Sequence, residues 1–185
     1  SWRNGLVAVL VILSSLRAAP VACADSVSAL DQEYWQWRAH EQPFSQDDIP
    51  RIERPADFVV DWSPATVARR IDDIARFERR WRALAPAAAT PVADQVDYRL
   101  LGSAIARARW ELSIEQGWRR NPMFYVDQTL GSVYALLLQP PPFDTTRQAD
   151  IVARVKRIAP TLKAAVRNLD DLRQPFAQLA IDALD

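Results

Sequence analysis

A long helical pattern near the middle of the chain constrains the fold more than any other feature of the sequence. It begins behind Thr90-Pro91, a capping residue followed by a proline at the first helical position, and it runs to Gly117. A second apolar segment follows and ends at the proline run 140–142. A helix over 91–117 would be about 39 Å long at about 1.5 Å per residue, so other helices must pack along it.

The rest of the chain also favours helices over strands. Glycine is scarce and proline is frequent, with 4 Gly and 13 Pro among 185 residues, and no alternating strand pattern stands out. We therefore predict an all-α fold, a multi-helix array of antiparallel helices. The predicted helices cover 27–41, 64–85, 91–117, 128–138, 146–159, 161–173 and the chain from 175 onward.

Apolar residues recur at spacings of three and four in each segment, which predicts one buried face per helix. Pro160 interrupts the face of the segment after the triple proline, and we expect the helix to break before Thr161. The predicted buried positions are Val27, Leu30, Tyr34 and Trp37; Val67, Ile71, Ile74, Phe77, Trp81 and Leu84; Val96, Leu100, Leu101, Ala104, Ile105, Ala108 and Leu112; Ile151, Val155, Ile158, Leu162, Val166 and Leu169; and Phe176, Leu179, Ala180 and Leu184.

Residues 1–24 have the pattern of a bacterial export signal, which is a basic start, an apolar run and a small-x-small cleavage motif. The motif is formed by Ala22 and Ala24, so we expect the mature chain to begin at Asp25. Processing would leave one helical domain over 25–185 with no stable membrane span, located in the periplasm or outside the cell.

Two alternatives to cleavage remain open. A membrane anchor would need a longer apolar run than the one that Arg17 and Pro20 close. A lipid attached to Cys23 would also hold the protein at a membrane, but Pro20 lies where such signals usually have leucine. Because Cys23 is the only cysteine, stability must come from packing without a disulfide.

The charge balance and the residue types that are present exclude several functions. The chain has 23 basic and 23 acidic residues, and Arg3 and Arg17 fall in the signal, so the mature part carries 21 against 23. That balance argues against nucleic acid as a partner. With His40 as the only histidine and no glycine-rich loop, the sequence predicts no catalytic residue, no metal ligand and no cofactor of its own.

The turn between the third and fourth predicted helices gathers residue types that can hold a carboxylate or a peptide end. Arginine offers two parallel N–H donors to a carboxylate, and aromatic rings offer an apolar surface against which a ligand can pack. The competing interpretation, which we favour, is a tryptophan-anchored helix corner in which Glu115 and Arg119 pair four residues apart. The candidate substrate-binding residues are Trp118, Arg119, Arg120, Asn121, Tyr125 and Asp127.

Several segments of the sequence, taken together, resemble a known protein family. The segment DYRLLGSAIARARWELSIEQGWRRNPMFYVDQTLG, followed by LLLQPPPFD and later by PFAQLAIDAL, resembles the N-terminal third of a bacterial exported family catalogued as domain of unknown function 885 (DUF885). The similarity covers roughly Ser28 to Asp185. It implies a larger, almost entirely helical fold that is similar to zinc-dependent carboxypeptidases. The family's metal motif, a His-Glu followed by Gly-His-His, lies in the C-terminal half and does not occur in this chain.

The absence of that motif leaves two options, and one is a shortened family member that cannot carry out the chemistry. The other is that the chain is an N-terminal fragment of an exported, metallopeptidase-like hydrolase. In that interpretation it lines or scaffolds the substrate cleft, its partners are a peptide substrate and the C-terminal part of the same protein, and any zinc is bound by residues outside this sequence. The alternative is a non-catalytic secreted helical module that binds a peptide, a cell-wall fragment or a partner protein through its tryptophan-rich faces. Whether the protein is an enzyme is left open at this point.

Overall fold

The computed structural model of the protein describes residues 26–45 and 61–184, and helices joined by short loops make up most of these ranges. Within them there is no strand, which confirms the prediction of an all-α, multi-helix fold. The predicted signal at 1–24, the cleavage site at Ala22, Ala24 and Asp25, and most of the loop before Trp62 lie outside the described residues.

Ten helical segments follow one another along the described chain, and two of them are π-helical. They are α1 (Val27–Glu41), α2 (Pro64–Ala83), α3 (Val92–Arg109), π1 (Trp110–Glu115), α4 (Gly117–Arg120), α5 (Pro122–Val126), π2 (Asp127–Gly131), α6 (Ser132–Leu137), α7 (Thr145–Asn168) and α8 (Gln174–Asp182).

Short polar side chains fix where most of the longer helices begin. Ser26 accepts a hydrogen bond from the amide of Ala29, and Ser63 accepts one from Thr66 in front of Pro64, as the cap-then-proline pattern predicts. Asp144 caps α7 in the same way. The prediction of a Thr90 cap is wrong, because Pro91 occupies the cap position of α3 and no side chain caps that helix.

The third predicted helix does not end as the sequence suggested. Its α-helical part stops at Arg109, and a π-helical turn continues to Glu115. Gln116, and not Gly117, takes the left-handed conformation at φ 53°, because Gly117 already belongs to the next helix. The fourth predicted helix starts earlier than expected, at Pro122 and not at 128, since the side chain of Asn121 accepts from the Met123 amide and caps α5.

The predicted break in front of Thr161 is also wrong. Pro160 lies inside α7, which runs without interruption on both sides of it. Proline removes one helical hydrogen bond. Thr161, Ala164 and Asn168 are all buried just beyond the proline, and this packing holds the second half of α7 in line with the first.

The core lies where α1, α2 and α3 meet. Tyr34 stands at its centre, edge-on to Phe77 at a ring distance of 5.5 Å, and its hydroxyl donates to the carbonyl of Ala104 at 2.8 Å. Burial raises the pKa of Tyr34 to about 12, so the hydroxyl stays a donor. The buried apolar residues of this core are Leu30, Tyr34, Trp62, Val67, Ile74, Phe77, Leu101, Ile105, Ala108, Leu112, Tyr125, Ala164 and Ala165.

The buried face of α7 differs from the predicted one. Val155, Leu162 and Val166 are exposed, with Val166 at 83%, and they lie on the solvent side with Val152. We call these four side chains the α7 ridge. The inward side carries small or hydrogen-bonded residues instead: Arg147, Thr161, Ala164, Ala165 and Asn168. Val96 and Leu100 on α3 and Phe176, Leu179 and Leu184 near the chain end were likewise predicted to be buried and are exposed.

Hydrogen bonding explains why polar residues replace apolar ones on the inward side of α7. Asn168 donates from Nδ2 to the Trp62 carbonyl at 2.6 Å and to the Tyr125 hydroxyl at 2.9 Å. The guanidinium of Arg147 donates to the carbonyl of Leu136 in the last turn of α6 at 2.8 Å and to that of Pro140, after the helix, at 2.9 Å. Buried polar groups with partners are tolerated, and the two alanines let α7 approach its neighbours closely.

Gly102 should be intolerant of any side chain. A Cβ at this position would fall well inside contact distance of the Trp81 ring. That ring cannot yield easily, because it stacks on Tyr98 and donates from Nε1 to the Tyr98 carbonyl at 2.9 Å. We expect Gly102→Ala to lower the free energy of unfolding by about 1–3 kcal/mol in urea titrations. The exposed neighbour Ser103→Ala should stay within about 0.5 kcal/mol, and equal effects from both would contradict this packing.

Candidate functional site

The six residues predicted for the corner separate into three groups. Trp118, Asn121 and Asp127 line a cleft. Arg119 and Arg120 turn away from it towards the loop between α7 and α8. Tyr125 is buried in the core.

The two arginines attach the corner to the loop that follows α7. Arg119 forms an ion pair with Asp170, so the predicted Glu115–Arg119 pair does not form. Arg120 donates from Nε to Asp171 at 2.9 Å and from Nη1 to the carbonyl of Ile114 at 2.9 Å. Neither guanidinium lines the cleft, and both are paired with carboxylates of that loop, so neither is placed to hold a substrate carboxylate in the cleft.

Tyr125 stabilises the corner from a buried position. Its hydroxyl donates to the carbonyl of Trp118 at 2.6 Å and accepts from Asn168 at 2.9 Å. Burial raises the pKa of Tyr125 to about 12, which keeps the phenol protonated and the donor in place. Its role is therefore to hold the corner in position.

The cleft beside Trp118 has a volume of about 230 Å³. It opens between the end of α1, the loop that follows it, π1, and the corner that leads through α4 and α5 into π2. We call it the corner cleft. Its lining residues are Arg38, Gln42, Pro43, Phe44, Ser45, Trp62, Arg107, Glu111, Leu112, Glu115, Gly117, Trp118, Asn121, Phe124, Asp127 and Gln128.

Both π-helical segments contribute side chains to the corner cleft. Glu111 and Glu115 come from π1, and Asp127 and Gln128 come from π2. Well under about 1% of residues in globular proteins are π-helical, and such turns are often found at functional sites. Two of them around one cleft mark it as the best candidate site in the described chain. Hydrophobic spacing could not reveal them, because it does not report the hydrogen-bond register of a helix.

Aromatic rings form the walls of the cleft, and hydrogen bonds keep them in place. Trp62 and Phe124 pack edge to face at 4.6 Å, and Trp118 donates from Nε1 to the carbonyl of Leu112 at 2.9 Å. Across the cleft, the side chain of Gln128 accepts from the amide of Phe44 at 2.7 Å and donates to its carbonyl at 2.9 Å. Two hydrogen bonds to one residue fix the loop that carries Phe44.

Arg38 is the functional residue that sequence reasoning missed. It is only 5% exposed, yet it lines the cleft and donates from Nη2 to Glu111 at 2.6 Å. Within the described residues, its other N–H groups make no hydrogen bond. The signal was available, since Arg38 follows Leu30 and Tyr34 at steps of four along the buried face of α1.

Two carboxylates at the cleft behave differently. Glu111 is held by two guanidiniums, from Arg38 and, at 3.0 Å, from Arg107. Glu115 has no side-chain hydrogen bond or ion pair among the residues that the structure describes. Glu115 is exposed, but partial desolvation of its carboxyl, and then the charge of Glu111, raise the pKa of that carboxyl. Glu115 is thus the acceptor in the cleft that is available to a ligand.

These residues do not fit a zinc site. In residues 26–45 and 61–184, no three His, Cys, Asp or Glu side chains converge as metal ligands would. The guanidiniums of Arg38 and Arg107, which both pair with Glu111, also oppose a cation there.

None of the helices in the same ranges is both long and apolar enough to cross a membrane.

Comparison of the chain with known protein families, with curated proteins and with solved structures finds no match. The resemblance to the DUF885 family therefore stays a prediction.

The raised pKa of Glu115 predicts a pH-dependent stability. Between the ordinary carboxyl pKa and the raised value, the folded chain keeps a proton that the unfolded chain has released, so stability falls as pH rises through this window. Glu115→Gln removes that penalty. We expect the variant to melt at a higher temperature than the original chain at pH 7, and the difference to vanish below about pH 4.

A matched control is Glu78→Gln, which removes an ion pair with Arg82 on the exposed side of α2. Its melting temperature at pH 7 should be unchanged or slightly lower. A gain at pH 7 from Glu78→Gln as large as that from Glu115→Gln would mean that the effect is a general one of net charge.

Proposed function

We propose that this chain is the cleft-lining and scaffolding helical part of an exported, metallopeptidase-like hydrolase, and that the corner cleft receives the peptide. The observation that carries the proposal is the meeting of two π-helical segments around one aromatic-walled cleft with a buried arginine and a carboxylate available to a ligand. Resemblance to the DUF885 family supports the reaction class, and the cleft supports the recognition role.

The described residues support binding and not chemistry. General acid–base catalysis needs a titratable side chain and a second group that positions the reacting atom. Glu111 is fixed by two arginines, Glu115 has no such second group among the described residues, and His40 does not line the cleft. In the proposal, a metal and its ligands come from sequence outside this chain, as the family resemblance implies.

The α7 ridge supports a scaffolding role over a free-standing binding module. Soluble monomers rarely leave a contiguous apolar stripe on a long helix in water. Here Val155, Leu162 and Val166 share one side of α7, although the inward side of the same helix is filled by alanine and polar residues. A further layer of helices packed on this side would bury the ridge, as a larger helical fold requires.

The ridge predicts self-association of the isolated chain. Analytical ultracentrifugation of the full chain should show a sedimentation coefficient that rises with protein concentration, because exposed apolar surface is buried between copies. The double substitution Leu162→Lys with Val166→Lys should weaken this association while leaving the free energy of unfolding, measured by urea titration, within about 0.5 kcal/mol of the original. A concentration-independent monomer for the original chain would argue against an unpartnered ridge and favour the free-standing module.

Peptide binding and cleavage test the function itself. Titration calorimetry of the full chain with short peptides should detect weak binding, and Phe44→Ala should weaken it about tenfold, because it removes one aromatic wall of the cleft. Phe143→Ala is the matched control, since Phe143 is also a loop aromatic but lies outside the cleft. An equal loss of peptide affinity in the two variants, or no peptide binding at all, would show that the cleft is not the peptide-binding site.

The same material should not hydrolyse peptides with or without added zinc, and elemental analysis should find no stoichiometric metal. Chelator-sensitive cleavage together with one zinc ion per chain would show that the chain is a complete enzyme and would overturn the scaffolding role.

A further inference from the structure

Among the described residues, five charged side chains line the corner cleft, and two of opposite sign, Arg38 and Glu115, keep hydrogen-bonding capacity for a ligand. Arg38 supplies N–H donors that are left over after its single hydrogen bond to Glu111, and burial restricts the movement of its guanidinium in the cleft lining. Glu115 lies four residues from Glu111 along π1 and supplies a carboxylate without a partner in the described chain. A ligand with an anionic and a cationic end would satisfy both with charge-assisted hydrogen bonds, which are the strongest.

The size and walls of the cleft restrict the ligand further. Its volume of about 230 Å³ lies below the roughly 300–1,000 Å³ of sites for drug-sized ligands, so it accommodates about one amino-acid residue. Trp62, Trp118 and Phe124 surround this space and favour an aromatic or large apolar side chain. Asn121 adds a polar group at the rim, and its Oδ1 is already used in capping α5.

We infer that the corner cleft binds a free α-amino acid with an aromatic or large apolar side chain, its carboxylate on Arg38 and its ammonium on Glu115. This inference rests on the proposed function, because a peptidase-like protein that recognises peptide ends meets the same two charged groups. A residue at a peptide C-terminus offers only the carboxylate, and one at an N-terminus offers only the ammonium. The free amino acid offers both and should bind most tightly.

Preorganisation makes the cleft selective. Arg38 is held by burial and by Glu111, and the loop with Phe44 is held by Gln128, so the cleft does not have to reorganise around a smaller ligand. A ligand that lacks one charged end leaves a protein group in the cleft without its partner. Such losses reduce affinity about tenfold or more for each missing group.

Three probes separate the alternatives by calorimetry on the full chain at pH 7.5. They are L-phenylalanine, which has both charges, N-acetyl-L-phenylalanine, which has only the carboxylate, and L-phenylalanine amide, which has only the ammonium. We expect L-phenylalanine to bind at least about tenfold more tightly than either of the others. Equal affinity for all three, or no binding of L-phenylalanine, would overturn the inference.

Substitutions assign each charge to its residue. Glu115→Gln should abolish the preference for L-phenylalanine over its N-acetyl form and leave the affinity for the N-acetyl form unchanged. Glu78→Gln, a carboxylate change outside the cleft, should leave the preference intact. Arg38→Lys should weaken the N-acetyl form about tenfold and spare the amide. If this variant unfolds, the three-probe ranking and the Glu115→Gln result decide alone.

The outcomes also separate this inference from the proposed function. Binding of short peptides without binding of L-phenylalanine would reject the zwitterion site and leave the peptide-recognition role standing. Failure of peptides and of L-phenylalanine together would reject both. A preference for L-phenylalanine that Glu115→Gln does not change would place the ammonium elsewhere and reject the assignment.

Discussion

A single chain of buried hydrogen bonds holds the parts of this structure together. Asn168 on α7 donates to the Trp62 carbonyl in front of α2 and to the Tyr125 hydroxyl on α5, and that hydroxyl donates to the Trp118 carbonyl in the corner. The two residues joined by the longest link are 106 positions apart in sequence. Because buried polar groups are costly to leave unpaired, this chain of bonds fixes how the corner sits against α2 and α7. The corner cleft depends on that arrangement.

Three arginines are buried in the part of the chain that the structure describes, and each makes charged connections between segments. Arg38 joins α1 to π1 through Glu111, and Arg70 lies over the Trp62 ring at 4.3 Å while donating to Glu41 at 2.8 Å. Burial lowers the pKa of Arg70, and one of its nitrogens, Nη1, has no partner. Arg147 binds the carbonyl of Leu136 in the last turn of α6 and that of Pro140 after it. Each guanidinium therefore connects its own helix to a neighbouring segment through hydrogen bonds from a charged donor.

The sequence predicted the helices and the first half of the core, and the reason is local. The faces of α1 and α2 are dense in large apolar residues such as Tyr34, Ile74 and Phe77, so periodicity alone identifies them. On α7 the larger apolar residues point to solvent, and the inward positions are chosen by partners distant in sequence, such as Trp62 for Asn168. No local pattern contains that information. The same holds for the cleft, where Trp118, Asn121 and Asp127 are neighbours in sequence but Arg38 and Phe44 arrive from another helix and its loop.

Pro160 weakens the backbone hydrogen bonding of α7 at one point, although the helix is continuous. Pro160 has no amide hydrogen, so the carbonyl of Lys156, four residues earlier, receives no backbone hydrogen bond from it. The ladder of hydrogen bonds along α7 therefore lacks one bond near the middle of the helix. The first half packs on π2 and α6, and the second half carries Asn168 and the contacts to the core. Local unfolding that begins at the exposed N-terminal end of α7 can stop at the proline. The hydrogen bonds of Asn168 at the other end of the helix are then unaffected by that fraying.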